Sequence, residues 1–273
     1  MLVQFVAPVA VVLAVATILL VVASPSFRAL TKTRSQFVSH PLDPRVFYEP
    51  GAERYAQRVA SFLPHAVETV ETVHGLPYKS PVRVYVCATQ RSLNEFIAAP
   101  PATPIRGTVA MESVFLAPSA FDWGGVDTHR ETLTHELSHL HIRQRLGLVA
   151  HRSAVPAWFN EGLANLVAGA GGEGITEEDA TEAVLAGRGF EPDTAGAMFR
   201  PKGPQSYGLP APMLQKQATM FLAFIRDTDP SAFDSFLLEL QLAKNFAGPF
   251  RTHFGMDARE MWMRFEKELG KSG

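Results

Sequence analysis

The sequence predicts an α+β fold: a small mixed N-terminal lobe with a β-sheet, then a mainly α-helical C-terminal lobe, the whole preceded by an N-terminal transmembrane helix. Three observations carry this. The stretch 81–88, PVRVYVCA, alternates and is rich in valine, as a half-buried strand does. Beyond Thr128 apolar residues recur three and four apart almost to the end of the chain, the mark of amphipathic helices. Leu2 to Ala23 is almost wholly apolar, and at 1.5 Å per residue about 20 such residues cross a bilayer core.

Taken in order, residues 1–24 are expected to form a membrane anchor. Val21 and Ala23 would also suit a cleaved signal peptide, but the positively charged start that such peptides carry is missing. Arg28, Lys32 and Arg34 follow the segment. The positive-inside tendency then sets the rest of a single-pass membrane protein on the cytoplasmic side, although the same charges suit a solvated linker. Residues 25–44, polar and holding Pro25, Pro41 and Pro44, read as that linker. The domain proper is 45–273, divided into an α+β lobe (45–127) and a helical lobe (128–273).

In the first lobe Tyr55, Val59, Phe62, Leu63, Val67, Val70 and Val73 predict a helix over 52–73, ended by Gly75. The strand at 81–88 follows, and Thr89 caps a short helix through Ile97. After a proline-rich loop at 100–104, Val109, Met111, Val114 and Phe115 suggest a second strand within 107–117, with imperfect alternation. In the second lobe helices are expected at 129–146, 156–168, 177–186, 213–227, 231–243 and 257–269. Gly169 to Gly174 reads as a flexible connection, since it lacks the flanking strand that a phosphate loop requires.

Composition sets limits on function. With 273 residues, 47% of them hydrophobic, the chain can bury a sizeable core. A net charge of -2 lacks the basic footprint of a nucleic-acid partner. The single cysteine, Cys87, rules out an intramolecular disulfide and a cysteine metal site, and its apolar surroundings suggest a buried, inert thiol.

The chemistry lies in the helix expected at 129–146, which Thr128 and Glu131 would open as a capping box. It contains His135-Glu136-Leu137-Ser138-His139. Side chains four apart share a helix face, so the two imidazoles can converge on one metal ion, and Glu136, turned by one residue, can reach a water held there. Two satisfied polar histidines on a helix would give the same pattern. Further evidence comes from Ala157-Trp158-Phe159-Asn160-Glu161-Gly162-Leu163-Ala164, opened by Pro156. A glutamate among such apolar neighbours must face solvent or be neutralised, and a cation would neutralise it. Glu161 is therefore the candidate third ligand. Two imidazoles and one carboxylate leave a fourth tetrahedral position for water, as in catalytic zinc sites.

HELSH followed by WFNEGLA resembles the gluzincin zinc metallopeptidases, and in particular the peptidase MA-like family. The 21 residues between His139 and Glu161 slightly exceed the spacing of thermolysin-like and aminopeptidase-like relatives, so an extra turn within 147–155 is expected to absorb the difference. The helix at 52–73, the strand PVRVYV, the segment 107–118, the helix near Phe221 and the turn Phe254-Gly255-Met256 follow the family's order. The resemblance implies a zincin-like fold, zinc as cofactor, a peptide or protein substrate, and hydrolysis by a metal-activated water with Glu136 as general base and His135, His139 and Glu161 as ligands.

It also suggests roles for other residues. Asn165 would orient a ligand histidine, or stand as an exposed helix residue. Tyr207 would stabilise the oxyanion, or pack as a loop aromatic. The strand Val109 to Phe115 could hold an extended substrate. Ala110-Met111-Glu112-Ser113 faintly resembles an amine-anchoring motif, a solvated glutamate being the plainer reading. His129 and His141 are expected to be surface or structural, and Met261, Trp262 and Phe265 to pack a helix. The alternative to a membrane-anchored peptidase is a catalytically inactive peptidase-like module that binds peptide or protein partners.

Overall fold

The computed structural model describes Ala29, residues 31–198 and residues 202–272. The expected anchor, 1–24, lies outside them. Among the described residues no helix is long and apolar enough to cross a membrane, so the expected single-pass membrane localisation, with its cytoplasmic side, is corrected. The chain divides into two compact units, one of residues up to Ala60 with Arg83–Asp127, the other of Ser61–Val82 with Thr128–Gly273.

Among the described residues the first unit is built on five short strands: β1 (Val38–Ser39), β2 (Val46–Tyr48), β3 (Val84–Val86), β4 (Gly107–Ala110) and β5 (Ser113–Leu116). Their order is β1-β2-β3-β5-β4. The inner pairs β2/β3 and β3/β5 are parallel, with Val46 beside Val84 and Val84 beside Val114, while both outer pairs are antiparallel. All residues of β3 and β5 are buried, as expected of central strands covered on both faces. This explains the imperfect alternation read over 107–117. The segment is two strands, joined at Met111 and Glu112, both with positive φ (47° and 55°). Tyr85, Cys87, Leu93, Phe96 and Phe115 form the core beside Phe37. Cys87 is buried as expected, and burial raises its thiol pKa. Helix α2 (Gln90–Phe96) starts where Thr89 Oγ1 accepts from the Ser92 backbone N–H at 3.1 Å.

Helix α1 (Glu53–His74) begins in the first unit and ends in the second. Its buried face is Ala56, Val59, Ala60, Leu63, Ala66 and Val70, so alanines occupy much of the stripe expected of larger residues.

The second unit is helical: α3 (His129–Leu146), α4 (Leu148–Ala154), α5 (Ala157–Ala168), α6 (Glu177–Leu185), α7 (Ala211–Thr228), α8 (Pro230–Ala243), α9 (Ala247–Phe254) and α10 (Ala258–Ser272). Helix α5 packs on both α3 and α7. Trp158, Phe159, Phe190, Phe221, Phe236, Phe246 and Phe250, all essentially buried, make the aromatic centre. At Gly162 α5 comes so close to α7 that an added Cβ would lie 2.8 Å from the Ala218 carbonyl oxygen. The connection 169–174 holds glycines with defined positions. Gly169 caps α5 in the left-handed region at φ 64°. A Cβ on Gly171 or Gly172 would meet Thr219, Asn165 or Lys216 at 2.3–2.9 Å, so these glycines serve close packing.

Thr128 is the N-cap of α3, but its side chain makes no cap hydrogen bond and the expected capping box does not form. Its backbone (φ -114°, ψ 14°) is not in the extended region from which a side chain caps. Instead, its carbonyl accepts from the Thr132 N–H at 2.8 Å. Helix α9 was not among the expected helices, and it contains Gly248 and Pro249, both poor helix formers. Pro249 stands in the first turn, where a missing N–H costs little.

Candidate metal centre

Helix α3 is held in place by Leu133, Leu137 and Leu140, each fully buried. That anchoring leaves His135 and His139, one turn apart, on a shared face with their Nε2 atoms 2.9 Å apart. Trp158 and Phe159 fasten α5 in the aromatic centre, and its packing on α3 brings up Glu161. The Glu161 carboxylate lies with Oε1 3.5 Å from His139 Nε2 and Oε2 3.7 Å from His135 Nε2. The two stretches meet because α4 fills the interval between α3 and α5, where the long spacing calls for an extra turn.

The three side chains are half-buried. Burial pushes the His139 imidazole down to about 4 against the opposing pull of Glu161, so near neutral pH its ring is uncharged. Burial alone would raise the Glu161 carboxyl. His139, His135 and the Gln215 amide outweigh it and hold the group below the usual carboxylate range. His135 Nδ1 is 2.8 Å from Asn165 Oδ1. An amide oxygen only accepts, so Nδ1 carries a hydrogen, and Nε2 is the ring atom turned towards His139 and Glu161. Gln215, from α7, reaches Glu161 Oε2 at 3.5 Å.

One ligand atom from each residue lies within 4.8 Å of the other two, with the imidazole nitrogens 2.9 Å apart and a carboxylate oxygen 3.5 or 3.7 Å from each, which suits a small cation. A tetrahedral ion with ligands at 2.0–2.1 Å keeps them about 3.3 Å apart. The donor set, two imidazoles and a carboxylate, is one that zinc accepts with a position left open. Glu136 is almost fully buried in α3 between the two histidines in sequence.

The other candidates have contacts of their own. Tyr207, in the 3-10 turn Pro204–Tyr207, donates its hydroxyl to Asp193 Oδ2 at 2.8 Å, and Lys202 pairs with the same carboxylate. Burial raises the phenol's pKa. His141 is fully buried, its Nε2 2.7 Å from the Leu76 carbonyl and its ring against His74 and Tyr78. His129 is buried against Phe62. Both are structural in position. Glu112 occupies the β4–β5 turn in the first unit. Met261, Trp262 and Phe265 are buried, as a packing stripe should be. Gln215 carried no signal in the sequence, since it meets Glu161 only through helix packing.

No protein-family model and no curated protein matches this chain. Solved structures do. The structure of yeast leukotriene A4 hydrolase in complex with bestatin aligns with a TM-score of 0.50 and 13% identity over 85% of this chain and 37% of its own. The structure of the native yeast enzyme aligns with a TM-score of 0.49 and 14% identity, also over 85% of this chain and 37% of its own. The chain thus spans little more than a third of the length of these neighbours. At such identity the likeness is one of fold: a mixed, mostly helical architecture with a small sheet.

Proposed function

We propose that this chain is a zinc-dependent metallopeptidase, with His135, His139 and Glu161 as metal ligands and Glu136 as general base. The observation that carries the reading is the convergence of the three ligand atoms from α3 and α5. The fold likeness to a protein named a hydrolase supports it at the level of architecture.

Zinc supplies a Lewis acid that polarises the scissile carbonyl and lowers the pKa of water towards about 7. The chain supplies the rest. Glu136 accepts the proton of the attacking water as oxygen bonds to the carbonyl carbon, then delivers it to the amide nitrogen as the carbon–nitrogen bond breaks. A carboxylate that is not itself a ligand can perform both transfers without taking up the open position. Asn165 keeps His135 in the tautomer that binds through Nε2.

The test is metal analysis of the purified protein together with digestion of a peptide library by the parent and by Glu136→Gln. One zinc per chain is expected in both, with cleavage by the parent alone. Equal cleavage by the variant would remove Glu136 from its role, and absence of zinc from the parent would overturn the whole reading.

A further inference from the structure

His151 is a half-buried imidazole on α4 that the proposed chemistry does not use. Its Nε2 lies 3.2 Å from Asn160 Oδ1. Since that oxygen only accepts, Nε2 carries the hydrogen. Burial holds the ring at about 4, so near neutral pH it has one N–H, and this bond occupies it.

Asn160 immediately precedes Glu161 on α5, and its amide also stands near the His139 ring. His139 Nε2 is turned to His135, which leaves Nδ1 on the other edge of the ring. That atom is buried and finds no partner at hydrogen-bond geometry. A histidine that ligates through Nε2 must carry a hydrogen on Nδ1, and the hydrogen needs an acceptor. An asparagine amide offers an oxygen on one edge and N–H donors on the other, so a half-turn of the amide would set donor against donor.

We propose that His151 is a positioning residue of the metal centre: its Nε2–H donates to Asn160 Oδ1 and so holds the amide with its oxygen available to His139 Nδ1–H when His139 binds metal. This rests on the zinc reading above. His151 touches neither ligand donor atoms nor substrate, and its effect is read as metal affinity. Outer partners of metal-bound histidines typically account for 10–100-fold in affinity. One bond further out, about tenfold is expected.

The experiment measures zinc affinity of the full chain by chelator competition after metal removal, with thermal melting of the metal-free protein alongside. His151→Phe, which keeps a ring and removes the donor, should weaken zinc about tenfold. His151→Gln, which restores an N–H, should recover most of the loss. A carboxylate at 160 has no donor edge to present wrongly, so in the Asn160→Asp background His151→Phe should leave zinc affinity unchanged. This arm also decides the matter if the single Phe variant melts early. The inference is overturned if the Phe variant binds zinc as the parent does, if Gln loses as much as Phe, or if the Phe cost is equal in both backgrounds. A parent that binds no zinc overturns the reading beneath it instead.

Discussion

Replacing Gly162 by alanine sets two effects of known sign against each other at the residue beside Glu161. Within a helix, alanine is favoured over glycine by about 1 kcal/mol. Against this, the new Cβ would stand 2.8 Å from Ala218 O, 3.0 Å from Ala218 C and 2.9 Å from Leu222 Cδ1. The leucine methyl can rotate aside. The Ala218 carbonyl is α7 backbone and cannot, so relief requires α5 and α7 to part by roughly half an ångström, towards ordinary van der Waals contact. Forcing a methyl into a packed interface typically costs about 1–3 kcal/mol. The balance is therefore a loss of about 1 kcal/mol, or about 2–4 °C in melting temperature for a unit of this size. The shift falls on α5, which carries Glu161, so zinc affinity should weaken with stability. Urea unfolding of the metal-free protein and chelator competition would measure the two. A variant as stable as the parent, with unchanged zinc binding, would refute the reasoning by showing that the interface relaxes freely and helix propensity wins.

Two further outcomes follow from the buried polar groups. Asn165→Asp should bind zinc about tenfold more tightly, because a carboxylate accepts the His135 Nδ1–H more strongly than an amide and raises the ligand's basicity; competition titration showing equal or weaker binding would count against it. His74 is buried with Nε2 3.0 Å from Ser138 Oγ, and burial first, then the neighbouring His141 and His139, hold its pKa well below 6.5. A folded pKa below the unfolded one means that the contribution is full above pH 6.5 and is lost as pH falls, at about 1.4 kcal/mol per pH unit for this one histidine. Urea midpoints of His74→Gln between pH 6.5 and 5 should therefore fall less steeply than the parent's, and parallel slopes would exclude His74 as the source.

Much of the second unit was legible because its signals are local. Periods of three and four residues place α3, α5, α7, α8 and α10 within a few residues of their ends, and the four-residue step from His135 to His139 is itself a statement about one helix face. Legibility fails where a neighbour decides. Strands β1 and β2 are two and three residues long, too short for any alternation, and exist as strands by pairing with each other and with β3. The segment 107–117 read as one strand because the positive φ of Met111 and Glu112 carries no glycine or asparagine to announce the turn. The expected capping box failed because side-chain capping depends on the backbone angles of Thr128 as well as on its side chain.

From the residues alone came the chemistry on offer: two imidazoles one turn apart with a carboxylate between them in sequence, and a second carboxylate on a largely apolar helix. Helix period and hydrophobicity are properties of neighbouring residues, so the chain states them directly. Tertiary packing decided that Glu161 faces those imidazoles, that Asn165 holds one of them, that Gln215 reaches the carboxylate from α7, and that the Tyr207 hydroxyl goes to Asp193. Each depends on side chains far apart in the chain being held within a few ångströms, and that distance is fixed by how buried leucines, aromatics and one glycine let the helices approach.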